Sequence, residues 1–374
     1  MNGALKRSKI NQSGLDKNIF ASANKRQRLV SNPPVTQLTE TNLPFPRILV
    51  MHTPKPLFCL MLGASLFGQF ISSSDAQQAG KKLSIAVIPK GTTHIFWKSV
   101  EAGARQAAQE LGIDMTWKGP LKEDDRAQQI AIVEQFVSEG RSGIVLAPLD
   151  ENALRRPVDA AMQKKIPVVI IDSTLKGDVG KDFVAFVGTN NKQGGVMGGE
   201  ALVKLLDAKG KVILLRYQEG SASTSQREEG FLEAIKKNPD MQILVDNRYA
   251  GATVAEAQAT AMNIIDKIRQ ANGIFCPNES STLGMLLALK QNNLAGKVKL
   301  VGFDTSPPLI EGLKKGEIDA LVAQNPKKMG YLGVQTVVAA IHGEQVPPNT
   351  DSGAQLITKE NVDTPEIQKL LNPL

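Results

Sequence analysis

From residue 83 onward the chain alternates short, almost wholly apolar runs with stretches of helical periodicity, and few folds accommodate that rhythm. Leu83 to Ile88, Gly143-Ile-Val-Leu-Ala-Pro148 and Ile166-Pro-Val-Val-Ile-Ile-Asp172 read as buried strands, as do Phe183 to Gly188, Val212 to Tyr217, Gln242 to Asp246, Gly273 to Cys276 and Val298 to Asp304. Ile113 to Trp117 is a shorter one. Between them lie helical stretches at 125–140, 152–165, 194–206, 225–237, 254–270 and 283–291; in the first of these Ile130, Val133 and Val137 share a face. Strands without a polar face need cover on both sides, which parallel sheets with helices on each face provide. The expected fold class is therefore α/β, doubly wound, with parallel sheets.

Such sheets meet their ligands beyond the carboxyl ends of the strands. The first strand stops at Pro89 and Gly91 and leads through Thr93, His94, Phe96 and Trp97 into a helix, so this loop is expected to form one wall of a cleft. Polar residues recur at later strand ends: Asp172, Asn278, Asp304 and Gln324. Each has a local explanation. The aspartates suit Asx turns, Asn278 suits the N-cap of a helix starting near Ser281, and Gln324 suits a solvated loop. Their shared topological position points instead to a ligand.

Charge decides which partners to expect. The chain of 374 residues carries a formal charge of +7, but residues 1–76 hold nine Lys/Arg against three Asp/Glu, leaving 35 and 34 for the remainder. A nearly neutral folded part lacks the electrostatic footprint of a nucleic-acid binder. Residues 1–50 are polar, basic and without apolar periodicity, and read as an extension outside the fold. Residues 51–76 read as a secretory signal: Lys55, the apolar core Leu57 to Ile71, and a small-residue end with cleavage after Ala76. Met51 is then the expected start. A membrane anchor is the alternative, but that core is short for a span and is broken by Gly and Gln. Cleavage removes Cys59 and leaves Cys276 alone, so no internal disulfide and no cysteine-based metal site is expected.

Enzymatic signatures are sparse. The sequence has no HExxH, CxxC, P-loop or G-x-S-x-G, and its only histidines are His52, His94 and His342. Gly188 to Gly199 has the composition of a nucleotide loop without its spacing; Gly195 and Gly199 are better read as small residues where a helix packs closely on a sheet. Asp172 and Asp304 could serve as the carboxylate pair of a glycosidase, but nothing else of that machinery is visible. Neither enzymatic activity nor a cofactor or metal is expected.

The order of certain segments is more specific. THIFWKSVEAGA, IPVVIIDS, STSQREEGF, GIFCPNESSTLGML, KLVGFDTSP and ALVAQNPKKMGYLGV follow one another between Lys82 and Lys359. In that order they resemble the periplasmic sugar-binding proteins of the ribose-binding type, the solute receptors of ABC importers. The resemblance implies a type I periplasmic binding protein fold: two Rossmann-like lobes, a three-crossover hinge, and closure on a sugar. The first lobe would be residues 82–188 plus 326–351, the second 190–323 plus 354–374. The resemblance also implies a binding set of His94, Phe96, Trp97, Asp172 and Ser173 from one side, Gln324 near the hinge, and Arg227, Tyr249, Asn278 and Asp304 from the other. Carboxylates would accept hydroxyl protons, Arg227 and Asn278 would donate, and Phe96, Trp97 and Tyr249 would cover ring faces. Close relatives carry an asparagine at His94 and commonly an arginine at Ser173, so ribose itself does not follow from the resemblance, and the expected ligand is a pentose, hexose or deoxyhexose in ring form. The implied protein is a periplasmic monomer that hands a monosaccharide to an inner-membrane permease, with a chemoreceptor as a further partner open to such receptors. The alternative from another class is the effector domain of a sugar-responsive repressor of the lactose-repressor type, but residues 1–50 lack the apolar spacing of a helix-turn-helix.

Overall fold

The computed structural model describes residues 82–372. The extension 1–50, the leader 51–76 with its cleavage point, and the final two residues of the chain lie outside these described residues. The chain builds two six-stranded sheets. The first contains β1 (Ser84–Ile88), β2 (Asp114–Trp117), β3 (Gly143–Leu146), β4 (Val168–Ile171) and β5 (Ala185–Gly188). The second contains β6 (Gly210–Arg216), β7 (Met241–Tyr249), β8 (Gly273–Phe275), β9 (Lys299–Phe303) and β10 (Ala320–Gln324). The last two strands are divided: β11 (Asn349–Asp351) joins the first sheet beside β5 and β12 (Ala354–Thr358) the second beside β10. The helices are α1 (Ile95–Glu110), α2 (Arg126–Ser138), α3 (Arg155–Gln163), α4 (Asn191–Leu205), α5 (Ala222–Lys236), α6 (Val254–Asn263), α7 (Ile265–Ile268), α8 (Glu279–Gln291), α9 (Pro307–Lys314), α10 (Pro326–Ile341) and α11 (Pro365–Leu371).

Both sheets use one strand order, β2-β1-β3-β4-β5-β11 and β7-β6-β8-β9-β10-β12. This is the doubly wound order in which the sheet reverses direction beside its first strand, opening a crevice at the strand tips. The pairs are parallel except β10 with β12, which is antiparallel. The chain passes from one sheet to the other three times, after β5, β10 and β11.

The apolar runs explain the layers. Alternate residues of a strand face opposite sides, so Ile85, Val87, Val145 and Val169 pack under α1 and α10, while Ala86, Ile88, Ile144 and Leu146 pack under α2 and α3. In the second sheet Ile213, Leu215, Ile274 and Leu300 face α6, α8 and α9, and Val212, Leu214, Phe275 and Val301 face α4 and α5. Each such aliphatic, fully buried, contributes about 2 kcal/mol. Cys276 lies in this second core as a free thiol, its pKa pushed up by burial.

Local expectations differ from the structure at several points, of which three bear on the packing. The helix read over 254–270 is broken at Ile264 into α6 and α7. The helix read from 283 starts at Glu279, because Asn278 and Ser281 form a reciprocal capping box. Gly195 and Gly199 pack against a helix, and it is Gly194 and Gly198 that lie over Phe303 and Phe275 of the sheet. A Cβ at Gly195 would overlap the carbonyl oxygen of Arg227, and one at Gly230 would overlap that of Lys192. This backbone-to-backbone approach of α4 and α5 brings Asn191 of α4 onto Arg227 of α5. Among the described residues, no helix is long and apolar enough to cross a membrane.

Candidate functional site

The tips of the two sheets enclose one cavity, of about 320 Å³ with its mouths included. Strand ends supply part of the wall: Lys90 beyond β1, Asp172 beyond β4, Tyr217 beyond β6, Asn278 beyond β8, Asp304 beyond β9 and Gln324 closing β10. The rest comes from the α1 entry (His94, Phe96, Trp97), the loop after β2 (Glu123), and α5 and α8 (Ser223, Thr224, Arg227, Glu279).

Ionisable groups here are buried but partnered, as burial of charge requires. On the first sheet, Lys90 Nζ pairs with Asp172 Oδ2 at 2.8 Å and donates to Ser223 Oγ of α5 at 2.9 Å. Asp172 Oδ1 has no partner among the described residues and is free to accept from a ligand. Glu123, 8% exposed, is a hub. Its Oε1 accepts from His94 Nδ1 at 2.7 Å and from Trp97 Nε1 at 2.7 Å, and its Oε2 accepts from the Tyr217 hydroxyl at 2.8 Å. Burial opposes charge on both His94 and Glu123, but their mutual attraction and hydrogen bond prevail. The imidazolium pKa rises to about 9 and the carboxyl falls to about 2.

On the second sheet, Arg227 is 2% exposed and held in three directions. Its Nε donates to Asn191 Oδ1 (2.8 Å), and its terminal nitrogens donate to the Pro277 carbonyl (2.9 Å) and Gln324 Oε1 (2.8 Å). The guanidinium stands 4.1 Å over the Phe303 ring. Asp304, at φ +69°, accepts from Gln324 Nε2 (2.7 Å) and from the Glu279 N–H (2.8 Å). Burial raises its pKa, and the charge of Asp172 adds to this while Arg227 opposes it. Glu279 takes the N–H groups of Ile95 and Phe96 at 3.4 and 3.1 Å, an anion at the start of α1, whose N-cap residue His94 makes no side-chain cap of its own. Burial and the neighbouring Asp304 raise the Glu279 pKa. The three passages between sheets meet here too, since Thr189 Oγ1 donates to Gln324 Oε1 and lies 3.4 Å from Ser352 Oγ.

Of the residues read from sequence, His94, Phe96, Trp97, Asp172, Arg227, Asn278, Asp304 and Gln324 are brought together around the cavity. Two are not. Ser173 is buried and spends its hydroxyl accepting from the Ser223 N–H (3.0 Å), a contact between the two halves and not a cavity wall. Tyr249 is 41% exposed: it ends the outermost strand β7, whose last three residues all face solvent, so it covers no ring face. Tyr217 of the adjoining strand stands in the cavity in its place. Asn278 keeps its local role as well, since its Oδ1 caps α8 through the Ser281 N–H. Lys90, Glu123, Tyr217 and Glu279 were not singled out in the sequence. Lys90 and Tyr217 obey the same rule of polar groups just past strand tips that exposed Asp172 and Asp304.

A broader depression between α10 and α11, walled by Lys327, Lys328, Tyr331, Gln355 and Glu366, is more voluminous but gathers no buried ionisable residue. Convergence of such groups marks the inter-sheet cavity as the candidate site. Residues 85–345 match the periplasmic binding protein domain family. The chain belongs to that family. Among relatives of this binding protein, the D-allose-binding periplasmic protein of Escherichia coli is 29% identical over 289 residues, covering 76% of this chain and 91% of that protein. A carbohydrate transporter solute binding protein from Agrobacterium radiobacter, solved with D-arabinose, superposes with a TM-score of 0.74 at 35% identity, covering 78% of this chain and 99% of the other. An ABC transporter solute binding protein from Agrobacterium vitis, solved with D-fucose, gives 0.75 at 35% identity, covering 77% and 100%.

Proposed function

We propose that this periplasmic binding protein captures one neutral monosaccharide, a pentose, hexose or deoxyhexose, between its lobes and delivers it to the permease of an ABC importer. The observation that carries the reading is the convergence of donors and acceptors from both sheets on one small cavity. Asp172 and Lys90 stand on one side, Arg227, Asn278 and Asp304 on the other, and Phe96 and Trp97 offer apolar faces. A sugar hydroxyl both donates and accepts, so it can satisfy such a mixed set, and charged partners strengthen each bond. The relatives named for or solved with D-allose, D-arabinose and D-fucose support a sugar as cargo and favour a transport receptor over a repressor's effector domain.

The lobes in this reading are residues 82–188 with 326–351, and 190–323 with 354–374, hinged at Thr189, Asn325 and Ser352-Gly353. A ligand drives closure only through contacts it makes better in the closed form, and ligation from both lobes provides them. Export by cleavage after Ala76, action as a monomer, and signalling through a chemoreceptor belong to the same proposal. The reading is tested by titration calorimetry of the chain from residue 77 with D-allose, D-arabinose, D-fucose and D-ribose. Saturable binding of at least one is expected, at one site per chain; Asp304→Ala should weaken it at least tenfold, because the sugar loses a charged acceptor worth about 1.5–3 kcal/mol. Binding of none by folded protein, or an unchanged affinity in the variant, would contradict the assignment.

A further inference from the structure

The two lobes also touch outside the sugar cavity. Arg126, the first residue of α2, pairs through Nε with Asp150 Oδ2 at 2.7 Å and donates from Nη2 to the Glu219 carbonyl of the other lobe at 2.8 Å. The Glu151 N–H donates to the Gly220 carbonyl at 2.9 Å. Each side of this contact is held by its own lobe. Asp150 Oδ1 accepts the N–H groups of Asn152 and Ala153, each at 2.9 Å, and the Glu151 carbonyl accepts the Lys176 N–H at 2.9 Å. Gly220 turns at φ +86°, in the left-handed region that favours glycine, and a Cβ there would lie 2.3 Å from Asp150 Oδ2. Asp150 could swing clear of it only by giving up Arg126 or its two N–H partners. None of Arg126, Asp150, Glu151, Glu219 and Gly220 lines the sugar cavity. The strand order sets the contact away from the hinge: it follows β3 and β6, and β4 and β5 separate β3 from β11 as β8, β9 and β10 separate β6 from β12.

We propose that these residues form a latch that holds the lobes together and sets how long a sugar stays bound, without taking part in the choice of sugar. This rests on the sugar reading, in which the lobes open and close about the ligand. Opening about Thr189, Asn325 and Ser352-Gly353 displaces most whatever lies farthest from the hinge, so the bonds of Arg126 and Glu151 to the turn at Glu219 and Gly220 must break before a ligand leaves. Contacts made only in the closed form favour that form whichever sugar it holds. They slow the release of every ligand by one common factor, whereas a residue of the cavity wall changes the ratio between sugars.

Release of radiolabelled D-fucose, D-arabinose and D-allose, chased with unlabelled sugar, tests this on the whole protein and on Arg126→Ala and Gly220→Ala. Release should quicken about three- to tenfold in Arg126→Ala, which loses a charged hydrogen bond across the lobes, and about tenfold or more in Gly220→Ala, whose methyl group parts the Arg126–Asp150 pair from the turn. In each variant the factor should agree within about twofold for every sugar that binds. The Arg126 side chain is 43% exposed, so Arg126→Ala keeps the test decisive even where the strained turn of Gly220→Ala prevents folding. Release from Arg126→Ala at the rate of the parent protein overturns the latch. Factors that differ from sugar to sugar overturn it as well, because the residue then reads the ligand. If the parent protein binds none of these sugars, the sugar reading falls, and small-angle X-ray scattering without ligand decides the latch: a radius of gyration that rises in Arg126→Ala keeps it, and one equal to that of the parent overturns it.

Discussion

Arg227→Ala is expected to weaken monosaccharide binding by roughly 10- to 100-fold and to cost about 3 kcal/mol of folding stability. Hydrogen bonds to a charged group contribute about 1.5–3 kcal/mol each, and a partner left buried and unmatched costs about as much. Arg227 ties Asn191, Pro277 and Gln324 together, and through Gln324 it reaches Asp304 and the hinge residue Thr189. Three of its N–H donors are engaged in this way, which leaves others for a ligand oxygen. Arg227→Lys retains the charge but cannot reach three acceptors from one planar fork, so it should recover little. Calorimetry and urea denaturation of both variants measure the two effects. Affinity within threefold of the parent protein, in either variant, would remove Arg227 from the site.

Glu123→Gln should cost about 3 kcal/mol near neutral pH and change the shape of the pH–stability curve. Removing one member of a buried ion pair leaves the other charge uncompensated; here that charge is His94, and the Tyr217 contact across the cavity weakens with it. The sign follows from the direction of each shift. The His94 pKa is raised from 6.5 to about 9, so its contribution is complete below about pH 6.5 and is lost as pH rises through 9. The Glu123 pKa is lowered from 4.5 to about 2, so its contribution is complete above about pH 4.5 and is lost as pH falls through 2. Both shifts report the same interaction, worth about 3 kcal/mol counted once. Thermal unfolding from pH 4 to 10 should therefore show a decline between pH 6.5 and 9 that Glu123→Gln abolishes. Parallel curves for the two proteins would show that the pair contributes nothing.

Much of the architecture is legible because its cause is local. Runs such as Val168 to Ile171 admit only a strand covered on both faces, and alternation with helices leaves little besides a doubly wound sheet. The antiparallel direction of β12 is not legible: Ala354 to Thr358 follows β11 after only two residues, and tertiary pairing with β10 decides its sense. That both halves share one strand order is equally hidden, since no sequence repeat records it.

At the site, the strand-tip rule finds Asp172, Asn278, Asp304 and Gln324 because each follows or closes an unmistakable apolar run. Lys90 escapes it by sitting between Pro89 and Gly91, where the turn conceals a side chain aimed inward. Tyr217 passes for the last residue of its own strand. Glu123 lies in Lys122-Glu-Asp-Asp125, and nothing local separates it from neighbouring charges that face solvent. Only the approach of His94, Trp97 and Tyr217 from distant parts of the chain makes it a hub. Tyr249 shows the converse, a residue at a strand end whose edge position turns it to solvent.

The central claim is that both lobes grip one sugar, and a crystal structure with the best-bound monosaccharide tests it most directly. Hydroxyls within hydrogen-bond distance of Asp172 on one side and of Arg227 or Asp304 on the other are expected. A sugar held by one lobe alone, or seated in the groove between α10 and α11, would contradict the account.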